Sequence, residues 1–118
     1  MKYLCMAYFD EKRLEALSEQ EFEALATESL AYNDELRTSG HYVASNALQR
    51  VNMATTIRPA NGRMSVTDGP FAETKEQLGG FLLIEARDLN EAIAIASKIP
   101  VARLGCIEVR PTKEIGAK

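Results

Sequence analysis

Residues 3–9 (YLCMAYF) constrain the fold most, because apolar side chains occupy both the odd and the even positions of this segment. Successive side chains of a β-strand point to opposite faces of the sheet. A strand of this composition therefore belongs in the centre of a sheet that is covered on both faces. Residues 81–86 (FLLIEA) show a similar pattern, and we predict that both segments are central strands.

Two helical segments are available to cover such a sheet. Ser18 and Glu21 have the spacing of a capping box at the start of the first segment, and Gly40 lies where a left-handed residue ends a helix. Asp88 has the position of an N-cap before a second helix, which we predict over residues 89–98. The apolar residues of each segment recur at helical spacing, so each helix has one stripe to bury.

Weaker strand patterns fill the space between the two helices. Residues 41–48 (HYVASNAL), 53–58 (MATTIR) and 63–67 (RMSVT) are predicted strands. The Asn-Gly pair at 61–62 predicts a hairpin between the last two. The Asp-Gly-Pro sequence at 68–70 ends the hairpin, because proline removes a backbone donor and glycine relaxes the chain.

Residues 106–110 (CIEVR) alternate between apolar and polar and predict the last strand. The order of strand, helix, a group of strands, strand, helix and strand predicts an α+β ferredoxin-like sandwich, with residues 1–118 forming one domain. Two helices cover only one face of that sheet. Because the other face is also apolar, we expect a homodimer in which two sheets pack face to face.

Composition excludes several classes of function. The net charge is -3 and the basic residues are scattered among acidic ones, so we expect no nucleic-acid partner. The longest apolar runs fall far short of the roughly 20 residues that span a bilayer, so we expect no membrane segment. Cys5 and Cys106 without a recognisable export signal predict a cytoplasmic protein. Together with His41 they lack metal-ligand spacing, and we expect no metal and no cofactor.

Residues 68–71 (DGPF) and the segment after them resemble the motif of the DGPF subgroup of the YCII-related family. The resemblance implies a ferredoxin-like fold that dimerises into an α/β barrel, with a cleft lined partly by the DGPF loop. It extends over nearly the whole chain, through Glu73, Thr74, Lys75, Glu76, Gly79, Gly80 and residues 54–58, 61–62 and 108–111.

The wider YCII-related group includes an enzyme of aromatic-compound breakdown, similar to a dehydrochlorinase, for which a histidine–aspartate pair is the proposed active site. The resemblance places Asp68 at the aspartate position. The histidine of that pair lies in the first helix, about 11 residues before its terminal glycine, and Ser29 occupies this position here.

Asp68 and His41 are the predicted catalytic residues, as a general base and a proton partner. Each has a structural alternative. The Asp68 carboxylate can instead accept backbone N–H groups in an Asx-type turn, and His41 can be a partly buried residue with a structural hydrogen bond.

Four further residues are predicted to bind a ligand. Lys75 is the candidate contact for an anionic ligand, and Glu73 lies in the same charged run, although such runs often form only solvated surface pairs. Phe71 belongs to the DGPF motif, and Tyr8 is one of the tyrosines expected in the core or the cleft.

These residues leave two functions open. The first is a small-molecule-binding or accessory module, whose cleft at the dimer interface holds a partly aromatic or anionic compound. The alternative is a cofactor-free lyase or isomerase that acts on a small aromatic or enol substrate, with Asp68 as base.

Overall fold

The computed structural model describes residues 1–116 and contains three α-helices, six β-strands and two short 3-10 turns. The turns span Val51–Met53 and Pro100–Leu104. In chain order the main elements are β1 (Lys2–Phe9), α1 (Glu11–Glu15), α2 (Glu19–Ser39), β2 (Tyr42–Ala47), β3 (Thr55–Ala60), β4 (Arg63–Asp68), β5 (Gln77–Glu85), α3 (Leu89–Ala96) and β6 (Gly105–Pro111).

Four strands form one antiparallel sheet in the order β2-β5-β1-β6, and β3 and β4 form a separate two-stranded sheet. The order confirms the α+β class and is consistent with the ferredoxin-like pattern. The β3–β4 hairpin, which we call the arm, is inserted between β2 and β5 in the chain. Strands β2 and β5 are nevertheless paired directly in the main sheet.

The caps of the two long helices confirm the sequence prediction. The Ser18 hydroxyl accepts a hydrogen bond from the Glu21 amide at 3.1 Å, and the Glu21 carboxylate accepts one from the Ser18 amide at 2.9 Å. Hydrogen bonding to the Glu21 carboxylate, first from the Ser18 amide and then from the Ser18 side chain, lowers the pKa of Glu21 because it stabilises the charged form. Gly40 ends α2 in the left-handed region, at φ 82°, and Asp88 caps α3 through the Glu91 amide.

Several boundaries differ from the prediction. Helix α1 is capped by Asp10 and has only five residues, too few to show a helical period. Strand β5 begins at Gln77 instead of residue 81, because Gly79 and Gly80 lie inside the strand, next to a bulge in its pairing with β1. Helix α3 ends at Ala96, and Met53 belongs to a 3-10 turn instead of a strand.

The helices cover one face of the main sheet. Tyr3 and Cys5 of β1, and Leu82 and Ile84 of β5, are buried there against α2 and α3. The opposite face, called the open sheet face below, is apolar and only half-buried in one chain. It is formed by Leu4, Met6, Tyr8, Phe81 and Leu83. No helix within residues 1–116 is both long and apolar enough to cross a bilayer.

Candidate functional site

A cavity of about 570 Å³ lies between α2 and the helix-covered face of the sheet. Strands β1, β5 and β2 form its floor, while α2 and the 3-10 turn Pro100–Leu104 contribute walls. Among the residues that the structure describes, none with a charged side chain lines it. The site is therefore suited to neutral, mostly apolar chemistry.

A row of small residues leaves this space open. In the sheet register Ala7 of β1 is opposite Gly80 of β5, and Gly80 is opposite Ala47 of β2. Residues paired in this way share a face, so three adjacent strands present only two methyl groups towards α2. The neighbouring Gly79 accommodates the Phe9 ring, since a Cβ atom built there would lie 2.2 Å from Phe9 Cζ.

A few uncharged polar groups converge on the cavity. The Asn33 side-chain amide donates to Ser45 Oγ at 3.3 Å, and the Tyr42 hydroxyl lies 2.8 Å from the same oxygen. Ser29 is one helical turn before Asn33 and is half-buried. Its hydroxyl has no hydrogen bond to any described residue, so it can donate to or accept from a ligand.

The two ionisable residues of the lining are held neutral. Burial raises the pKa of the Cys5 thiol to about 11, so the nucleophilic thiolate is scarce at neutral pH. Burial also raises the pKa of Tyr32 to about 12, with further increases from the charges of Glu35 and Cys5. The Tyr32 hydroxyl donates to the Ile95 carbonyl at 2.6 Å, which ties α2 to α3 beside the cavity.

A smaller hollow of about 220 Å³ adjoins the cavity, and the two share Phe9, Leu14, Phe22, Leu48 and Gly79. Charged residues surround this hollow, where Arg50 forms ion pairs with Glu11 and Glu15. Glu11 also accepts a hydrogen bond from the Val51 amide at 2.9 Å, and its own amide donates to the Gln77 side chain at 3.0 Å. The charges at this end of the site are thus paired with one another.

His41 lies away from the cavity, between the end of α2 and the start of α3. Its Nδ1 is 2.7 Å from the Ser39 hydroxyl, and its Nε2 is 3.2 Å from the Glu91 carboxylate. The backbone hydrogen bond from Arg87 is the main cause of the lowered pKa of Glu91, and the charges of Arg87 and the His41 contact act in the same direction. These contacts are structural hydrogen bonds of the kind that the alternative interpretation of His41 expects.

Asp68 ends β4 and is opposite Thr55 at the root of the arm. The Gly69 amide donates to the Ala54 carbonyl at 2.7 Å, and the Thr56 hydroxyl donates to the Gly69 carbonyl at 2.8 Å. Within the described part of the chain, the exposed Asp68 carboxylate accepts no hydrogen bond, so no Asx-type turn forms there.

One chain does not bring Asp68 and His41 together. His41 precedes β2, whose first residue Tyr42 is opposite Ile84 at the far end of β5. The root of the arm instead lies near the start of β5. Glu11 contacts both Gln77, the first residue of β5, and Val51, which precedes the arm by a few residues. A strand of nine residues is about 25 Å long. In one protomer Asp68 and His41 therefore lie too far apart to form a direct hydrogen bond.

The remaining predicted ligand contacts are also outside the cavity. Tyr8 lies on the open sheet face, because its neighbours Ala7 and Phe9 point towards α2. Phe71, at 75% exposure, and the exposed Glu73 and Lys75 lie in the loop between β4 and β5. The roles of all six predicted residues stay predictions.

Sequence reasoning missed the residues that do line the cavity, including Asn33 and Ser45. For Ser29, the sequence indicates only that it occupies the position of the helical histidine in related enzymes, and not that it lines a cavity. No group of three or more His, Cys, Asp or Glu side chains in residues 1–116 has a geometry that could hold a metal ion.

The fold and the site define a small antiparallel α+β domain with one uncharged, mostly apolar cavity beneath its long helix. The YCII-related domain model matches residues 1–116, and the chain belongs to this family. An uncharacterised protein of Rhizobium meliloti (strain 1021) is 37% identical over 113 residues, which cover 94% of this chain and 91% of that protein.

A solved structure has the same fold. It is a 5-chloro-2-hydroxyhydroquinone dehydrochlorinase from Burkholderia phenoliruptrix AC1100, in complex with 2,5-dihydroxybenzoquinone. The TM-score is 0.54 at 18% sequence identity, and the match covers 96% of this chain and 94% of the other. At this identity the likeness concerns the fold alone.

Proposed function

We propose that this domain binds a small neutral molecule, a ring that bears hydroxyl or carbonyl oxygens, in the cavity beneath α2. The observation that carries the proposal is an uncharged cavity of about 570 Å³ with Ser29, Asn33 and Ser45 on its wall and floor. Ligand pockets typically enclose about 300–1,000 Å³ and combine apolar walls with a few polar groups. A substituted six-membered ring fits both the size and the chemistry.

The structural neighbour supports an oxygen-bearing ring as the ligand, because it is a complex with a quinone that carries hydroxyl groups. An anionic ligand is less well supported than a neutral one. Lys75, its candidate contact, lies in the exposed loop and does not line the cavity. A neutral ring places no uncompensated charge in the apolar space.

The proposal includes a homodimer, in which the open sheet faces of two chains pack together to give an α/β barrel. Half-buried Leu4, Met6 and Phe81 support it, because an apolar face of this extent is costly in water. Membership of the DGPF subgroup is supported by residues 68–71, and a cytoplasmic location by the free thiols of Cys5 and Cys106.

Catalysis is the second candidate, because the structural neighbour is an enzyme of aromatic chemistry. In a cofactor-free lyase or isomerase, Asp68 is the base. Its partner group comes from outside the protomer, since His41 lies at the other end of the sheet. Asp68→Asn tests this role: once a substrate is found, a folded variant with full turnover contradicts it.

Ligand binding is tested by thermal unfolding with hydroquinone and with 4-hydroxybenzoate, in which a carboxylate replaces one hydroxyl. At ten times its dissociation constant a ligand adds about 1.4 kcal/mol, which raises the Tm by about 6 °C for a chain of this length. We expect hydroquinone to stabilise the protein and 4-hydroxybenzoate to do so much less. Equal shifts, or a larger shift with the anion, contradict a neutral ligand.

A further inference from the structure

The arm, residues 55–68, projects away from the rest of the chain. All of its strand residues except the half-buried Thr56 are exposed. The radius of gyration is 16.3 Å, whereas a compact chain of this length has about 13.5 Å. The smallest dimension of the molecule is only 19 Å, about the depth of one helix layer on one sheet, so the arm extends sideways instead of lying on either layer.

The arm has one apolar face and one polar face. The register pairs Ile57 with Val66 and Pro59 with Met64 on one side, where Ile57, Met64 and Val66 are 57%, 65% and 64% exposed. The alternate pairs of the register lie on the other side: Thr56 with Thr67, Arg58 with Ser65, and Ala60 with Arg63.

A two-stranded hairpin is marginally stable in water by itself, and the arm receives little support from its own chain. The Thr56 hydroxyl donates to the Gly69 carbonyl at the root, and the Gly69 amide donates to the Ala54 carbonyl just outside the arm. Beyond the root, residues 1–116 leave the apolar face of the arm uncovered.

We infer that the apolar face of the arm packs against a second copy of this chain. The inference rests on the homodimer proposed above and extends its interface beyond the open sheet face. Four strands about 4.8 Å apart and about 22 Å long present only about 420 Å². A stable interface buries about 800 Å² on each partner.

The missing interface area is supplied if each chain packs its arm against the other chain. A two-stranded arm of six residues per strand covers about 200 Å². In a two-fold dimer each chain buries its own arm and also the surface beneath the partner's arm. Together with the sheet face, each chain then buries about 800 Å².

The same geometry gives Asp68 a location in the assembly. Asp68 and Thr55 occupy the arm's apolar face at its root, two residues from Val66 along β4. A docked arm places this carboxylate at the margin of the interface, next to the partner. Its surroundings then come from two chains, in contrast to the open solvent around it in one protomer.

The test compares Val66→Asp with Ser65→Asp, which adds the same charge to the polar face of the arm one residue away. Sedimentation velocity of the full-length proteins from about 1 to 100 μM measures the dimer dissociation constant. We expect the wild type and Ser65→Asp to dimerise equally. Val66→Asp raises the dissociation constant at least tenfold, because it places an unpaired carboxylate in the interface.

Equal dissociation constants for the three proteins overturn the inference, as does a wild type that is monomeric at 100 μM. If Val66→Asp does not fold, hydrogen exchange of the wild type decides: arm amides become more protected as concentration rises if the arm docks on a partner, and are unaffected if it does not. Hydroquinone shifts on the same samples report ligand binding separately. If the protein dimerises but hydroquinone does not raise its Tm, the cavity proposal is contradicted and the inference about the arm is unaffected.

Discussion

Ala7→Leu is the most direct test of the cavity, because Ala7 lies in the row of small residues on its floor and is only 6% exposed. The substitution adds three carbon atoms at a position that faces empty space. At about 0.8 kcal/mol for each buried CH₂ this contributes about 2.4 kcal/mol, and ordering the leucine side chain costs about 0.5–1 kcal/mol. The expected gain is about 1.5 kcal/mol.

This gain corresponds to a rise in Tm of about 6 °C, from an unfolding entropy of about 2.1 cal/mol/K for each residue. Calorimetry of the ligand-free protein measures it, and Ala24→Leu on the exposed side of α2 serves as the matched control. The leucine occupies only part of the cavity but takes up its floor, so the hydroquinone-induced shift is reduced in Ala7→Leu and persists in full in Ala24→Leu.

Two results refute the reasoning. A loss of about 1–3 kcal/mol in Ala7→Leu is the mark of overpacking, and it means that the space above Ala7 is already filled. An unchanged ligand shift in a stabilised Ala7→Leu protein means that the ligand binds elsewhere.

Other predictions concern the polar and ionisable groups of the site. Ser45→Ala removes the hydroxyl between Tyr42 and Asn33, and calorimetric titration should show about tenfold weaker hydroquinone binding, whereas Ser65→Ala on the arm leaves it unchanged. In Cys106→Ser, the remaining Cys5 thiol should resist a thiol reagent at pH 8 until urea unfolds the protein, because its pKa is about 11; rapid labelling of the native protein contradicts this. Cys5 keeps its proton in the folded chain up to about pH 11 but loses it near pH 9.0 when unfolded, so its contribution to stability is complete below pH 9 and is lost as the pH rises towards 11. Urea titrations across that range should show a shallower decline for Cys5→Ala.

The elements of the main sheet were predictable because their signals are local. The capping residues Ser18 and Asp88 fix where two helices begin, and the doubly apolar pattern of β1 identified a central strand. Helix α1 also follows a capping residue, Asp10, but a single turn is too short to show a helical period.

The cavity was not predictable from the same local patterns. It depends on Ala7, Gly80 and Ala47 being adjacent across three strands, and this register is a property of the folded sheet. His41 is likewise placed by Glu91, fifty residues later in the chain. Tyr8 had a usable signal, because strict alternation puts it on the opposite face from Phe9.

The position of β1 in the sheet has a consequence for how the chain is made. Its two partners are β5 and β6, so Lys2 pairs with Glu85 and Tyr3 with Pro111. A ribosome that adds about 5–20 residues per second needs several seconds or more after completing β1 to produce either partner. This largely apolar strand therefore remains unpaired in the nascent chain until its partners are made, and it is exposed to aggregation during that time.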